Sequence, residues 1–275
     1  MLKRIVKMGF IKSFLCGFFI ATPAILYAND LVSGVNEISG QWRVISVRLD
    51  TLATTTTATT EDDPHYVGRK VSFDNGGIYS NIDATANCSN AYYAVQRTLS
   101  LDKLIQQSSG KRYAEPRDPK AQDFGLPEED VTPVFIACGR GKFGPQGETI
   151  GNWAALVESN MLITNWYDNS YLIMQRIGTN EKIQPSFHCE GILNQTERAI
   201  CADNELASWD KSVNQAYKTL VMQQQKIMPD DKTTLNNIKA TQMNWLKKRN
   251  QCNADTDCIE KTMKDRVDAI TQHFM

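Results

Sequence analysis

The chain has 275 residues, 30 Lys and Arg against 31 Asp and Glu, a net charge of -1 at pH 7, and 41% hydrophobic residues. Near-neutrality removes the electrostatic footprint by which a protein gathers nucleic acid or an anionic membrane surface, and the apolar share is enough to build packed cores. Seven cysteines against three scattered histidines point to disulfides rather than to a metal centre.

Residues 1–28 read as a secretory signal. Lys3, Arg4 and Lys7 supply the positive start, an apolar run extends from Met8 to Ile25, and Ala28 closes a cleavage site in which Leu26 is larger than usual. The competing reading is an uncleaved anchor helix, against which Lys12 and Pro23 count. Cys16 follows Leu15, where a lipobox requires a small residue, and leaves with the leader. The mature chain is therefore expected in the periplasm, touching the membrane only through its signal. Six cysteines remain, Cys88, Cys138, Cys189, Cys201, Cys252 and Cys258, an even number that implies three disulfides in an oxidising compartment.

From Ile38 to about Gly178 turn residues and alternating apolar positions dominate. Ile38–Leu49 reads as a strand with Trp42, Val44 and Ser46 on one face and Ile45, Val47 and Leu49 on the other. The threonine-rich stretch after it has no apolar period and reads as a surface loop. Tyr66–Phe73 and Ile78–Ala86 read as strands joined through Asp74, Asn75, Gly76 and Gly77, residues that supply the positive φ angles of a tight hairpin. Leu99–Ile105 reads as a helical turn, Gly110–Pro127 as a loop, and Val131–Ala137 as a strand that Pro133 confines to an edge or a start. Gly139–Gly151 is glycine-rich but lacks the spacing of a phosphate cradle and reads as a barrel-rim loop. Met161–Tyr167 and Tyr171–Ile177 form the clearest hairpin.

Gly40, Gln41 and Trp42 make a GxW on the first strand, and Arg176 lies on the last. This resembles the lipocalin arrangement, in which an arginine stacks over a tryptophan that plugs one end of a barrel; the competing reading makes Trp42 an ordinary core residue. Either reading leaves a small antiparallel barrel or sandwich. Cys88 and Cys138, each placed just after a strand, are the cysteines left to pair in this half.

Beyond Pro185 the apolar period becomes helical. Leu206, Trp209, Val213, Tyr217 and Leu220 make one stripe, and Ile259, Met263, Val267 and Ile270 another. Between them Leu235, Ile238, Trp245 and Leu246 form a stripe interrupted by Lys239 and Gln242. Pro229, Asp230 and Asp231 end one helix and cap the next; Asn194 with Glu197 fits a capping box, and Asp255 or Asp257 caps the last helix. A helical hairpin follows, with a short helix before it and another after it. The spacing leans to Cys189–Cys201 and Cys252–Cys258, with Cys201–Cys252 as the competing pair. Trp245 and Arg249, four apart, share a face and read as a packing pair.

The pieces SFHC (Ser186–Cys189), TERAIC (Thr196–Cys201), NELASWDKSVNQAY, QMNWLKKR and the closing cysteine pair resemble the LprI-like lysozyme-inhibitor family of bacterial envelope proteins. The likeness covers about residues 185–270. The expected architecture is therefore α+β in two domains, a β-rich barrel-like domain over 29–180 and a disulfide-stapled helical module over 185–275. The resemblance implies binding and inhibition of a peptidoglycan-cleaving enzyme, a lysozyme or a competitor's toxin, by steric occlusion of its active site. Arg140 and Lys142 on the glycine-rich loop, or Lys247 and Lys248 in LKKR, suit an acidic cleft. No motif of an enzyme is present and no cofactor is expected. The alternatives are a barrel carrying a small apolar ligand, which a side-chain-filled interior would disfavour, or an envelope assembly factor.

Overall fold

The computed structural model describes residues 36–53, 59–82, 86–110, 112, 117–145 and 150–274. Residues 1–28, expected from the sequence to be a signal, lie with Cys16 outside the described residues. Eight strands form a closed, up-and-down antiparallel barrel in the order β1 (Gly40–Leu49), β2 (Lys70–Asp74), β3 (Gly77–Ser80), β4 (Cys88–Val95), β7 (Val134–Gly141), β8 (Asn152–Val157), β9 (Met161–Trp166) and β10 (Ser170–Arg176), which returns to β1. The short strands β5 (Leu99–Ser100) and β6 (Asp130–Val131) pair separately. Pro133 falls between β6 and β7, where no ladder hydrogen bond is required of it. Neither β4 nor β8 was legible from the apolar pattern, and β2 begins four residues later than the alternation suggests.

A β-bulge in β1 between Val44 and Ser46 resets the alternation. Trp42, Val44 and Val47 consequently all join the interior, with Leu49 packed against it, while Ile45 turns outward at 43% exposure. The expected split of β1 into two uniform faces fails for that reason. At one end Trp42 pairs with Arg176 across β1 and β10. The guanidinium stands 4.1 Å from the indole centre, and Trp42 Nε1 donates to the Ile38 carbonyl at 2.8 Å. The interior continues as an aromatic stack. Phe73 meets Phe143 edge-on at 5.6 Å, Phe143 meets Trp166 at 5.2 Å, and Tyr66 meets Trp166 at 6.1 Å. Trp42, Phe73, Phe143 and Trp166 are each 3% exposed or less, so large side chains fill the barrel core.

A second core lies outside the wall. Helix α1 (Leu101–Ser108), capped by the Ser100 hydroxyl, sets Leu104 and Ile105 with Phe124 against the outward residues Trp153, Ile163 and Tyr171 of β8, β9 and β10. Those strands are covered on both faces over most of their length, hence their nearly continuous burial up to the exposed Gln175 and Arg176. Cys88 opens β4 and Cys138 lies inside β7, so neither follows a strand as the sequence suggests, and their disulfide clips two neighbouring strands.

The C-terminal part holds α2 (Gln195–Ala202), α3 (Asn204–Ile227), α4 (Lys232–Asn250) and α5 (Thr256–Thr271). Its caps follow from local chemistry. Asn194 and Glu197 close a capping box on α2, while Asp203, Asp231 and Asp255 each accept a first-turn N–H. Asp255, not Asp257, is the cap of α5. Ile200, Leu206, Trp209 and Val213 pack on Ile259, Met263 and Val267 to make the third core. Cys189–Cys201 and Cys252–Cys258 staple its edges, each across a short separation.

Candidate functional site

The barrel and the helices meet along the outer side of β1 and β2. Gly68, at φ +89, lies so close to α3 that a Cβ there would stand 2.1 Å from Ser208 Oγ. Beside it Arg69 is buried at 0% exposure, its guanidinium 3.3 Å from the centre of the Trp209 ring. Nη2 donates to Ser208 Oγ and Ser212 Oγ at 3.1 Å each. Loss of water lowers the Arg69 pKa to about 9, which leaves it charged at neutral pH. Trp209 thus serves as a stacking partner for the barrel as well as a core residue. Around this contact Arg43 forms a bidentate pair with Glu181 at 3.0 and 2.6 Å, and Glu205 receives Lys70 Nζ at 3.1 Å and the Asn81 amide. On the far side of the same loop His65 bridges Asp63 at 2.6 Å and Asp268 of α5 at 3.0 Å.

Within the helical part a second buried arginine orders the hairpin. Arg249 Nη1 donates to Asp210 Oδ1 at 3.1 Å, joining α4 to α3 at 4% and 5% side-chain exposure. Asp210 Oδ2 accepts from the Ser186 N–H at 2.7 Å and its hydroxyl at 2.5 Å. Trp245 lies 5.5 Å from Arg249 and donates its Nε1–H to the Thr262 carbonyl at 3.2 Å. Asp210 and Arg249 are therefore committed to each other rather than available for acid–base work.

Past this junction core packing thins out, and Trp245, packed on the third core, and Gln242, which accepts from Arg266, are the contacts that still tie α4 to α5 at the hairpin's base. From Tyr217 to Lys248 no described residue is buried, although the stretch spans the ends of two helices. The last eleven residues of α3 alone rise about 16 Å, at 1.5 Å per residue. Met222, Ile227, Met228 and Met243 are each more than half exposed, and six lysines against two aspartates make the arm cationic. At its base a groove of about 570 Å³ opens between α3 and α4, lined by Phe187, Tyr217, Met243, Trp245 and Leu246. The far part of the hairpin thus combines adaptable, exposed apolar side chains with an excess of positive charge.

Residues 189–271 match the family model described as Lysozyme inhibitor LprI. The match takes in α2, α3, α4 and α5 with both of their disulfides, and it contains the whole arm. No curated protein and no solved structure matches the chain.

The four basic residues singled out from the sequence are dispersed. Lys247 and Lys248 occupy the last turn of α4, exposed and inside the LprI segment, but at about 100° per residue they point away from the groove that Leu246 lines. Arg140 and Lys142 are exposed at the opposite barrel rim from Trp42, with Lys142 Nζ 5.6 Å from the Tyr167 ring. Residues 146–149 of the glycine-rich loop lie outside the described residues. What sequence reasoning missed is the arm itself. Its signal was the interrupted stripe of α4, in which Lys239 and Gln242 stand where a buried helix would place apolar residues.

Proposed function

We propose that the mature chain works in the periplasm as a protein inhibitor of a lysozyme-type, peptidoglycan-cleaving enzyme, with the α3–α4 arm entering the enzyme's substrate cleft. The observation that carries this reading is the coincidence of the LprI match with the arm. A steric inhibitor needs an element that projects far enough to cover a substrate cleft, and the far end of the α3–α4 hairpin is, among the described residues, the part of this chain with the fewest core contacts. The arm's excess of lysines suits a cleft that carries catalytic carboxylates, because ion pairs strengthen once water is excluded. The exposed methionines and Ile227 supply apolar area that adapts to the cleft walls.

The filled barrel supports protein binding over the carriage of a small apolar ligand. The stack of Trp42, Phe73, Phe143 and Trp166 occupies the space a ligand would take.

The test is a pull-down of the mature, oxidised chain from residue 29 against c-type and g-type lysozymes and bacterial muramidase or peptidase toxins, followed by a peptidoglycan-lysis assay on each binder. Retention of a hydrolase together with arrest of lysis is expected. If reversing Arg140 and Lys142 to glutamate abolishes the arrest, the barrel rim rather than the arm is the contact.

A further inference from the structure

A cleft of about 780 Å³ lies where the barrel meets the helices, away from the tip of the arm. One wall is a continuous face of α3, on which Lys211, Asn214, Gln215 and Lys218 follow one another at helical spacing. The facing wall is the connector between barrel and helices, including Lys182 and Gln184. Charge in the cleft is unbalanced. Its two carboxylates are already engaged, Glu181 by Arg43 and Asp62 by the Ser46 hydroxyl and the Val47 N–H. Lys182, Lys211 and Lys218 are exposed and have no ion pair among the described residues.

The connector also presents an unused backbone edge. The Asn204 side chain takes one edge of it, donating to the Glu181 carbonyl at 2.8 Å and accepting from the Ile183 N–H at 2.9 Å. By the alternation of an extended chain, the N–H groups of Lys182 and Gln184 point the other way. Among the described residues nothing accepts from them. An unpaired edge of this kind, with pockets and fixed charges beside it, is the usual substrate for strand addition. Lys211 and Lys218 are two turns apart, about 10.5 Å, which is roughly three residues of extended chain. Asn214 and Gln215 between them offer amides to a peptide backbone, and Ile45 with Val67 offers an apolar wall.

We propose that this cleft binds an acidic peptide segment, which adds as a strand along Lys182–Gln184 and places its carboxylates against Lys182, Lys211 and Lys218. The proposal is separable from the inhibitor reading: Lys218 stands at the base of the arm, but Lys182, Lys211 and the connector edge lie outside it, so lysis reports on the arm and the K182E/K211E chain reports on the cleft.

The experiment is fluorescence anisotropy on the mature, oxidised chain with a labelled peptide of alternating glutamate and valine, its glutamine counterpart, and a labelled anionic polysaccharide. Saturable binding of the acidic peptide is expected, at least tenfold tighter than either comparator. The K182E/K211E chain is expected to lose tenfold or more, whereas the R97E/K103E chain, changed at two exposed positions outside the cleft, stays within twofold. Gln184→Pro, which deletes one edge N–H, is expected to weaken binding at least fivefold with far-UV circular dichroism unchanged. Absence of binding, equal binding of the glutamine peptide or the polysaccharide, or wild-type affinity in K182E/K211E would overturn the proposal. So would wild-type affinity in Gln184→Pro, since strand addition needs that N–H.

Discussion

Asp210 and Arg249 show how a buried charge pair is read at the scale of single residues. Burial lowers the Arg249 pKa, and the neighbouring Asp210 charge works against that fall. The pair survives because Ser186 fills the second carboxylate oxygen, leaving Asp210 well satisfied. Removing one member strands the other in low dielectric. Asp210→Ala is therefore expected to destabilise the chain by about 3–5 kcal/mol, and the double change Asp210→Ala with Arg249→Met by much less, measured as a double-mutant cycle in guanidinium. Arg176 is a milder case. It is exposed, its guanidinium donates to the Ser39 and Glu37 carbonyls at the solvent-facing rim, and Arg176→Ala should cost about 1 kcal/mol, chiefly through loss of the stacking on Trp42.

At the scale of elements, the loop carrying His65 is held to α5 by a titratable contact. Burial disfavours the charged ring, but hydrogen bonds and charge from Asp63 and Asp268 outweigh it, and the His65 pKa is raised. A group whose folded pKa is raised contributes its full stabilisation below the unfolded value, about 6.5, and loses it as pH rises through the folded value. The difference in melting temperature between wild type and His65→Gln is accordingly expected to be larger at pH 5.5 than at pH 8.5. An equal difference at both pH values would mean that the contact does not carry charge. Much of this architecture was legible in the sequence. The hairpin at Asp74–Gly77, the one closing on Ser170, the caps Asn194 and Asp231, the stripe of α5 and that of α3 as far as Val213 rest on local rules that tertiary structure did not override, whereas Tyr217 and Leu220, read as part of the same stripe, are only half-buried. What was hidden depended on the third dimension. The bulge in β1 moved Val47 inward, β4 presents mostly polar or half-exposed residues because only its inner face packs, and β8 has both faces covered and so shows no alternation. The candidate residues fared similarly: Lys247 and Lys248 were recognisable as exposed charge, whereas the freedom of the arm depends on how few partners α4 has.

For the whole molecule the decisive feature is that barrel and helices share a polar, partly buried junction. Arg69 carries no carboxylate of its own, and its Nε and Nη1 lack partners among the described residues, so Trp209, two serines and a long contact from Nη2 to the Val67 carbonyl at 3.4 Å hold it. Arg69→Ala is expected to cost about 3 kcal/mol, from lost charge-assisted hydrogen bonds and the void left against the indole, and to split a single calorimetric transition into two. The Cys88–Cys138 clip closes a 50-residue span; replacing both cysteines by alanine should lower stability by about 4 kcal/mol in denaturant titration, through the barrel alone. The junction leaves the arm as the part that projects, and the central claim concerns that arm. It is tested most directly by titrating the mature chain into a lysozyme-driven peptidoglycan lysis assay beside a Met222→Glu, Met243→Glu variant, whose changes lie on exposed positions and should leave the fold intact. The account predicts that the wild-type chain stops lysis near stoichiometric amounts and that the variant is at least tenfold weaker. Equal inhibition by the two chains, or none by a folded wild-type chain across the lysozymes and toxins, would contradict it.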